Sequence, residues 1–289
     1  MKKISNSEIA AYYRITKDHY QKGWKLDEAM ALHYGYWDEG VKSFVDSLQK
    51  LNEKLAEFGQ IIAGSRVLDA GCGVGGSALF LAINYKCEVD GISIEKGQVQ
   101  AAKSNANRMG LTELVSFSEQ DFTSTTFSDN YFDVVWGVES IIHASSKIEF
   151  FKEAFRILKP GGQLIVADYF ASDTVNEKDY KLLMKWLNPW AISGIESLTN
   201  YSLVLQKAGF ITPRTYNCDS YISKSVRRMY LSSFYLGIVT YLYLIIYPKT
   251  SSYSKNHHKA LYYQYKAFKK KLWHYYFLSA TKPEIPNNL

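Results

Sequence analysis

Hydrophobic and polar positions divide the chain into segments of two periods. Short apolar, β-prone runs bounded by turn residues lie at Arg66–Ala70 and at 88–94, 114–120, 132–136, 163–169 and 210–217, the pattern of buried strands. Helical patterns separate them, at 96–109, at 148–158 and at 176–209, the last broken at Asn188-Pro189, where proline removes a backbone donor. Ahead of the first run, Val41, Phe44, Val45, Leu48, Leu51, Leu55 and Phe58 recur at helical spacing, predicting an amphipathic helix that packs on the sheet. Strands alternating with helices in this way predict an α/β chain with a doubly wound, mainly parallel sheet.

The first strand runs directly into Gly71-Cys72-Gly73-Val74-Gly75-Gly76, and a helical pattern opens at Ser77. Glycines lack Cβ atoms, so a ligand can approach the main chain closely there. The free N–H groups of the helix N-terminus favour negative charge on that ligand. Gly71-x-Gly73-x-x-Gly76 alone also fits a dinucleotide fingerprint. Asp69 discriminates: a carboxylate at the strand end repels a pyrophosphate, but it suits a ligand carrying an ammonium group with a carboxylate and a sulfonium. S-adenosylmethionine has all three.

Asp69-Ala-Gly-Cys-Gly-Val-Gly-Gly76 resembles the first motif of class I S-adenosylmethionine-dependent methyltransferases. Val89-Asp-Gly-Ile-Ser-Ile94, Phe132-Asp-Val-Val-Trp136, and Leu158-Lys-Pro-Gly-Gly162 leading into Leu164-Ile-Val-Ala-Asp168 agree with it in order and spacing. The resemblance covers roughly residues 60–215. It implies a Rossmann-like sheet of seven strands whose last, from Trp273, inserts antiparallel. The implied units are an N-terminal helical lid (1–58), a cofactor-binding core (59–220), a helical cap inserted before the last strand (221–272), and that strand with the tail (273–289).

The same resemblance implies a cofactor set of Asp69, Gly71, Gly73, Ser93, Ile94, Gln98, Asp121, Phe122, Val138, Tyr20 and His33. Most of the superfamily has an acidic residue for the ribose hydroxyls where this chain has Ser93. Ser93 with Gln98 matches a subset of small-molecule and lipid-modifying members, although an exposed helix face accounts for Gln98 equally well. Asp121 is implied to accept from the adenine amino group, with Phe122 against the ring; capping of the following turn is the other reading of this Asp.

The aromatic N-terminal segment, with Tyr12-Tyr13, Tyr20, Gly23-Trp24 and His33-Tyr34-Gly35-Tyr36-Trp37, is similar to that of methyltransferases acting on sterols, tocopherols and related prenyl or alkaloid acceptors. There the segment folds over the cofactor and lines the acceptor pocket. This implies Tyr13, Tyr34, Tyr36 and Trp37 near the acceptor; without the resemblance, such aromatics would read as core. Trp186, Trp190 and Ile195 are pocket or core residues, and Trp186 is a substrate-site candidate.

Glu139 and His143 follow the strand at 132–136, on the side where ligands bind in open α/β sheets. Four residues apart, they share a face if the segment turns helical. A neutral imidazole there can take a proton from an acceptor hydroxyl. Related sugar and prenyl-quinol O-methyltransferases have a Glu-Ser and a His in this segment, and an Asp matching Asp168. Glu139, His143 and Asp168 are therefore the catalytic candidates, against a structural role for the histidine.

Composition changes the picture in three places. Cys72, Cys87 and Cys218 have neither disulfide-like nor metal-like spacing, so no metal and a reducing, cytoplasmic setting are expected. Met1-Lys-Lys-Ile-Ser-Asn lacks an apolar signal core, and no export is predicted. The net charge of +6 is uneven: residues 1–219 carry 23 basic and 27 acidic side chains, whereas 220–289 carry 11 basic and one acidic. That basic block suits an anionic membrane surface or a substrate diphosphate. Nucleic acid is not expected, because the aromatics are mixed with long aliphatic runs.

Residues 229–248 carry no charge over 20 positions, long enough to span a bilayer. Five tyrosines dilute the segment, and it lies between two parts of one sheet. A buried or membrane-surface helix is expected instead, with 259–273 compatible with interfacial binding and hence a peripheral membrane location. The expected activity is transfer of a methyl group from S-adenosylmethionine to a carbon or oxygen of a hydrophobic small molecule of prenyl, sterol, quinol or polyketide type. A membrane-associated, non-catalytic protein retaining the cofactor fold is the alternative. A nicotinamide-dependent reductase is disfavoured by Asp69 and by the Leu158-Lys-Pro-Gly-Gly162 turn.

Overall fold

The computed structural model describes residues 4–23, 26–247 and 252–284. Helix α1 (Asn6–Gly23) and the short α2 (Leu26–Ala29) precede α3 (Phe44–Gly59). Ser43 starts α3 with a reciprocal cap, its hydroxyl accepting from the Asp46 N–H while the Asp46 carboxylate accepts from the Ser43 N–H. The central part alternates: β1 (Arg66–Ala70), α4 (Gly76–Tyr85), β2 (Glu88–Ser93), α5 (Lys96–Arg108), β3 (Val115–Glu119) and β4 (Phe132–Val138). Then come α6 (Lys147–Ile157), β5 (Leu158–Ala171), α7 (Glu177–Leu187), α8 (Leu198–Lys207), β6 (Ile211–Asn217), α9 (Asp219–Ile246), α10 (Ser252–Lys269) and β7 (Trp273–Thr281).

The seven strands form one sheet in the order β3-β2-β1-β4-β5-β7-β6. β1 to β5 pair in parallel, and β7 is antiparallel to both β5 and β6. Neighbouring residues face opposite sides of the sheet, as the two-residue period of a strand requires. Val67, Val134, Ile165 and Phe277 enter the core under α3 and α4, whereas Leu68, Val135, Leu164 and Leu278 enter the core under α6 and α8. Both faces are covered, which is why the parallel strands read as unbroken apolar runs. Strand order reverses between β1 and β4, so the C-terminal ends of those strands diverge around a crevice suited to a ligand.

The N-terminal helices divide by role. α3 packs on α4, β5 and β7 as part of the core, while α1 and the segment 30–33 that follows α2 lie over the C-terminal edge of the sheet. The expected cap between the last two strands is the α9–α10 pair, with α10 packed on both α9 and α7. Of the two alternatives expected for 229–248, a buried or a membrane-surface helix, burial holds only as far as Ser233: beyond it no described residue of α9 is buried, because α10 covers that half on one side only.

Candidate active site

Asp69 ends β1 almost fully buried. The Ala78 N–H reaches its carboxylate, and burial pushes the pKa up to about 7. Among the described residues Oδ2 has no partner, an unmet polar atom in a cavity wall. Gly71 has φ +105°, and a Cβ there would meet Ser140 Cβ at 2.3 Å, so only glycine lets β1 and the β4 exit lie this close. The Ser140 hydroxyl seals that approach by donating to the Ala70 carbonyl at 2.5 Å. At Gly73, φ +52°, an added Cβ would meet nothing within 4 Å, because this turn faces open space.

A cavity of 90 Å³ runs along these strand ends, lined by Asp69, Gly71, Gly73, Ser93, Ile94, Gln98, Phe122 and Val138, and covered by Ile9, Tyr13 and 30–33. Ser93 Oγ donates to Gln98 Oε1 at 2.8 Å, so the two residues form one polar unit. Asp121 stands outside the lining. Its Oδ1 accepts from the Thr123 N–H and hydroxyl at 2.8 and 2.7 Å, and its Oδ2 accepts from Asn6 of α1 at 2.6 Å. His33 lines the cavity, its Nδ1 donating to the Tyr34 carbonyl at 2.8 Å. The side chain of Tyr20 lies outside the described residues.

A second chamber, of 30 Å³, shares Tyr13, Leu32, His33, Glu139 and His143 with the first and adds Tyr12, Tyr34, Tyr169, Trp190, Ile192 and Met229. His143 is fixed at both nitrogens. Nδ1 lies 3.3 Å from the Ala191 carbonyl, which can only accept, so Nδ1 carries the proton and Nε2 is a bare acceptor. Nε2 accepts from the Tyr13 hydroxyl at 3.0 Å. Burial pushes the imidazole pKa down to about 4, with the charge of Lys147 adding to the effect.

The turn that carries His143 is a single 3₁₀ turn, Ile141–His143. Asp168 accepts from the Ile142 N–H at 2.8 Å and the Tyr169 N–H at 2.9 Å. Lys147 donates to the carbonyls of Ile142 and Ala144 at 3.1 and 2.9 Å. Burial raises the pKa of Asp168 and lowers that of Lys147, and their mutual attraction opposes both shifts. Asp168 thus clamps the turn and lines neither chamber.

The shared helical face expected for Glu139 and His143 is corrected. Glu139 has φ +50° and its N–H still bonds the Ala167 carbonyl of β5 at 2.8 Å, so it belongs to the strand end. Its Oε1 accepts from the Tyr34 N–H at 2.7 Å and the Tyr275 hydroxyl at 2.8 Å, and Oε2 from the Tyr169 hydroxyl at 2.8 Å. Burial pushes its pKa up to about 8 against these three donors. Neither Glu139 nor Asp168 is hydrogen-bonded to the imidazole, which has Tyr13 and Ala191 instead.

Three aromatic candidates lie away from both chambers. Tyr36 stacks on Tyr221 at 4.2 Å, Trp37 Nε1 donates to Ser225 Oγ at 2.9 Å, and Trp186 packs between Tyr169, Trp190 and Trp273 in the core. Conversely, Tyr12, Tyr169, Ile192 and Met229 line the second chamber, and Tyr275 holds Glu139, without having been singled out from the sequence. Tyr169 was findable as the residue beside Asp168 at a strand end. Met229 arrives from the cap and leaves no local signal.

The residues present fit S-adenosylmethionine: a buried, partnerless carboxylate oxygen at Asp69, a glycine turn at the N-terminus of α4, and a polar pair at Ser93 and Gln98. The comparisons with known proteins agree. A methyltransferase-domain family model matches residues 68–166. Methyltransferase GfsG of Streptomyces halstedii is 30% identical over 213 residues, covering 71% of this chain and 77% of that one. The 2-methyl-6-phytyl-1,4-hydroquinone methyltransferase of Synechocystis sp. is 32% identical over 229 residues, covering 74% and 69%. The solved structure of the [4+2]-cyclase SpnF superposes with a TM-score of 0.77 at 24% identity, over 97% of both chains, and speaks for the fold alone. The chain belongs to the class I S-adenosylmethionine-dependent methyltransferases and is a methyl-transferring enzyme. The non-catalytic alternative is not favoured.

Proposed function

We propose that this enzyme methylates a hydroxyl oxygen of a hydrophobic small molecule of quinol, prenyl, sterol or polyketide type, with His143 as general base. The observation that carries this is a hydroxyl already on the base: the phenol of Tyr13 sits 3.0 Å from Nε2 while Ala191 holds the other nitrogen. An acceptor hydroxyl that displaces Tyr13 meets a neutral imidazole in the correct tautomer. Its proton passes to Nε2, a step that general bases typically accelerate by about 10²–10⁴-fold. Leu32, Ile192, Met229 and Trp190 give the chamber the apolar walls that a prenyl or polyketide body requires. A relative named for a phytyl hydroquinone supports the same class.

S-adenosylmethionine, when bound, supplies the methyl group on an already activated sulfonium carbon. What remains for the protein is orientation, exclusion of water and proton removal. Asp69 would hold the ammonium group, the glycine turn the carboxylate, Ser93 and Gln98 the ribose, and Phe122 the adenine. Helix α1 would keep water out.

Glu139 favours a second reading, methylation at an alkene or ring carbon. It stands among Tyr34, Tyr169 and Tyr275, whose ring centroids are 5.6–6.0 Å apart. Aromatic faces stabilise a nearby cation by roughly 0.5–2 kcal/mol each, and Glu139 could take the proton that the cation then loses. Labelled-methyl transfer over quinols, phenols, sterols and prenyl diphosphates tests both readings. Loss of turnover in His143→Gln with retention in Glu139→Gln supports the first, and the reverse supports the second. The three free, buried cysteines support a reducing cytoplasm as the enzyme's location.

A further inference from the structure

Helix α9 has two unlike halves. Ile222, Val226 and Met229 are buried in the core, and Tyr230 stacks on Tyr265 of α10 at 4.2 Å. From there outward Leu231, Phe234, Ile238, Leu242 and Ile245 follow at steps of three or four, each more than half exposed. An apolar stripe of this length on a soluble surface marks something that covers it. α10 returns beside it, because Gly237 lies near His258 and Tyr230 against Tyr265. Between the two helices opens a groove of 520 Å³, whose walls include Phe234, Ile238 and Tyr241 from α9 and His258, Lys259 and Tyr262 from α10. The basic edge of the hairpin is thus continuous with its apolar face: Lys259, Lys266 and Lys269 are all exposed on α10.

Charge selects the occupant. No acidic residue occurs from 220 to 283, while 11 basic ones do. A second copy seated on this face would bring lysines against lysines with no carboxylate beside them to pair, because the one acidic residue of the hairpin, Asp219, lies at its base bonded to His274 and the Tyr275 N–H. An anionic bilayer supplies both an apolar layer for the stripe and phosphates for the lysines. A transmembrane span is inconsistent with the chain path. α9 is long and apolar enough to cross, but α10 is helical from Ser252 and already buried in the core at Ala260.

We propose that the α9–α10 hairpin lays its apolar stripe into the headgroup region of an anionic membrane, with Lys259, Lys266 and Lys269 on lipid phosphates. This surface does not depend on which atom is methylated. It has a consequence that rests on the hydrophobic-acceptor reading: Met229 lines the inner chamber and Phe234 is five residues further along the same helix, about 7–8 Å. Docking therefore holds the chamber close to the layer in which an apolar acceptor dissolves.

Co-sedimentation of the full chain with vesicles tests the proposal, comparing phosphatidylcholine alone with phosphatidylcholine containing one part in four phosphatidylglycerol. Expected is binding to the anionic vesicles only, weakened by salt, and reduced about tenfold or more by Lys259→Glu/Lys266→Glu and by Ile238→Ser/Leu242→Ser. An unchanged rise in melting temperature with S-adenosylmethionine shows that these variants remain folded. Absence of binding, or binding that ignores both lipid charge and the lysine variant, overturns the proposal. So does a concentration-dependent dimer in analytical ultracentrifugation that Ile238→Ser/Leu242→Ser dissolves, which assigns the stripe to a second copy.

Discussion

The two ends of the active cavity are made of different material. The cofactor end is largely backbone: glycines at 71, 73, 75 and 76, the end of β1, and one buried carboxylate with a partnerless oxygen. The acceptor end is almost entirely side chain, assembled from α1, β4, β5, α9 and β7, and its principal polar groups are already paired: His143 with Tyr13, and Glu139 with three donors. The first is poised for one ligand that contiguous sequence can specify. The second is closed by its own residues, so its ligand must displace a protein contact. A shared cofactor and a changeable acceptor are what such a division permits.

The largest effect should come from breaking the cofactor end. Asp69→Asn removes the carboxylate proposed to hold the ammonium group and should weaken S-adenosylmethionine binding by about a hundredfold in calorimetry, as loss of one member of a buried charge pair does. Gly71→Ala should impair folding itself, given the clash with Ser140; its melting temperature measures this. At the acceptor end, His143→Gln should lower kcat by about 10²–10⁴-fold while leaving cofactor affinity within about twofold. The pH profile sharpens the contrast. kcat/KM rises with pH as the base loses its proton, and the His143 pKa of about 4 places that limb below the ordinary histidine range. The limb should vanish in His143→Gln and persist in Glu139→Gln. A limb nearer 8, the Glu139 value, that vanishes in Glu139→Gln would transfer the base to Glu139.

A smaller effect separates the ends through stability. Asp69 has a folded pKa of about 7, raised above its ordinary value of 3.8, so the native state binds more protons than the unfolded chain between these values. Its contribution is therefore present at low pH and lost as pH rises towards 7. Because S-adenosylmethionine pairs with the ionised form, its thermal shift should grow between about pH 6 and 8. In Asp69→Asn this growth should disappear. Smaller still, Tyr13→Phe removes the hydroxyl that competes for Nε2 and should lower the acceptor KM by about threefold, the worth of a modest hydrogen bond.

The sheet was legible because parallel strands covered on both faces leave unbroken apolar runs; of the proposed cofactor end, the lining residues from 69–76 and 93–98 each fall in one short stretch of sequence, whereas Asp121 stands outside the cavity. The acceptor end was legible only in part. Tyr13 and Tyr36 belong to one aromatic pattern, yet Tyr13 meets the base while Tyr36 stacks on Tyr221 in the core. Burial selects the same rings for either purpose, so spacing does not separate them. Glu139 escaped the helical reading because its left-handed φ ends the strand rather than starting a helix. The exposure of α9 depends on what fails to cover it, and a local pattern carries no record of that.

The most direct measurement is the position of the transferred label: incubate the enzyme with carbon-13 methyl S-adenosylmethionine and a converted acceptor, and read the product by carbon NMR. The account predicts a methyl ether, with the labelled carbon bonded to oxygen. A label on an acceptor carbon contradicts it and moves the chemistry from His143 to Glu139 and its tyrosines.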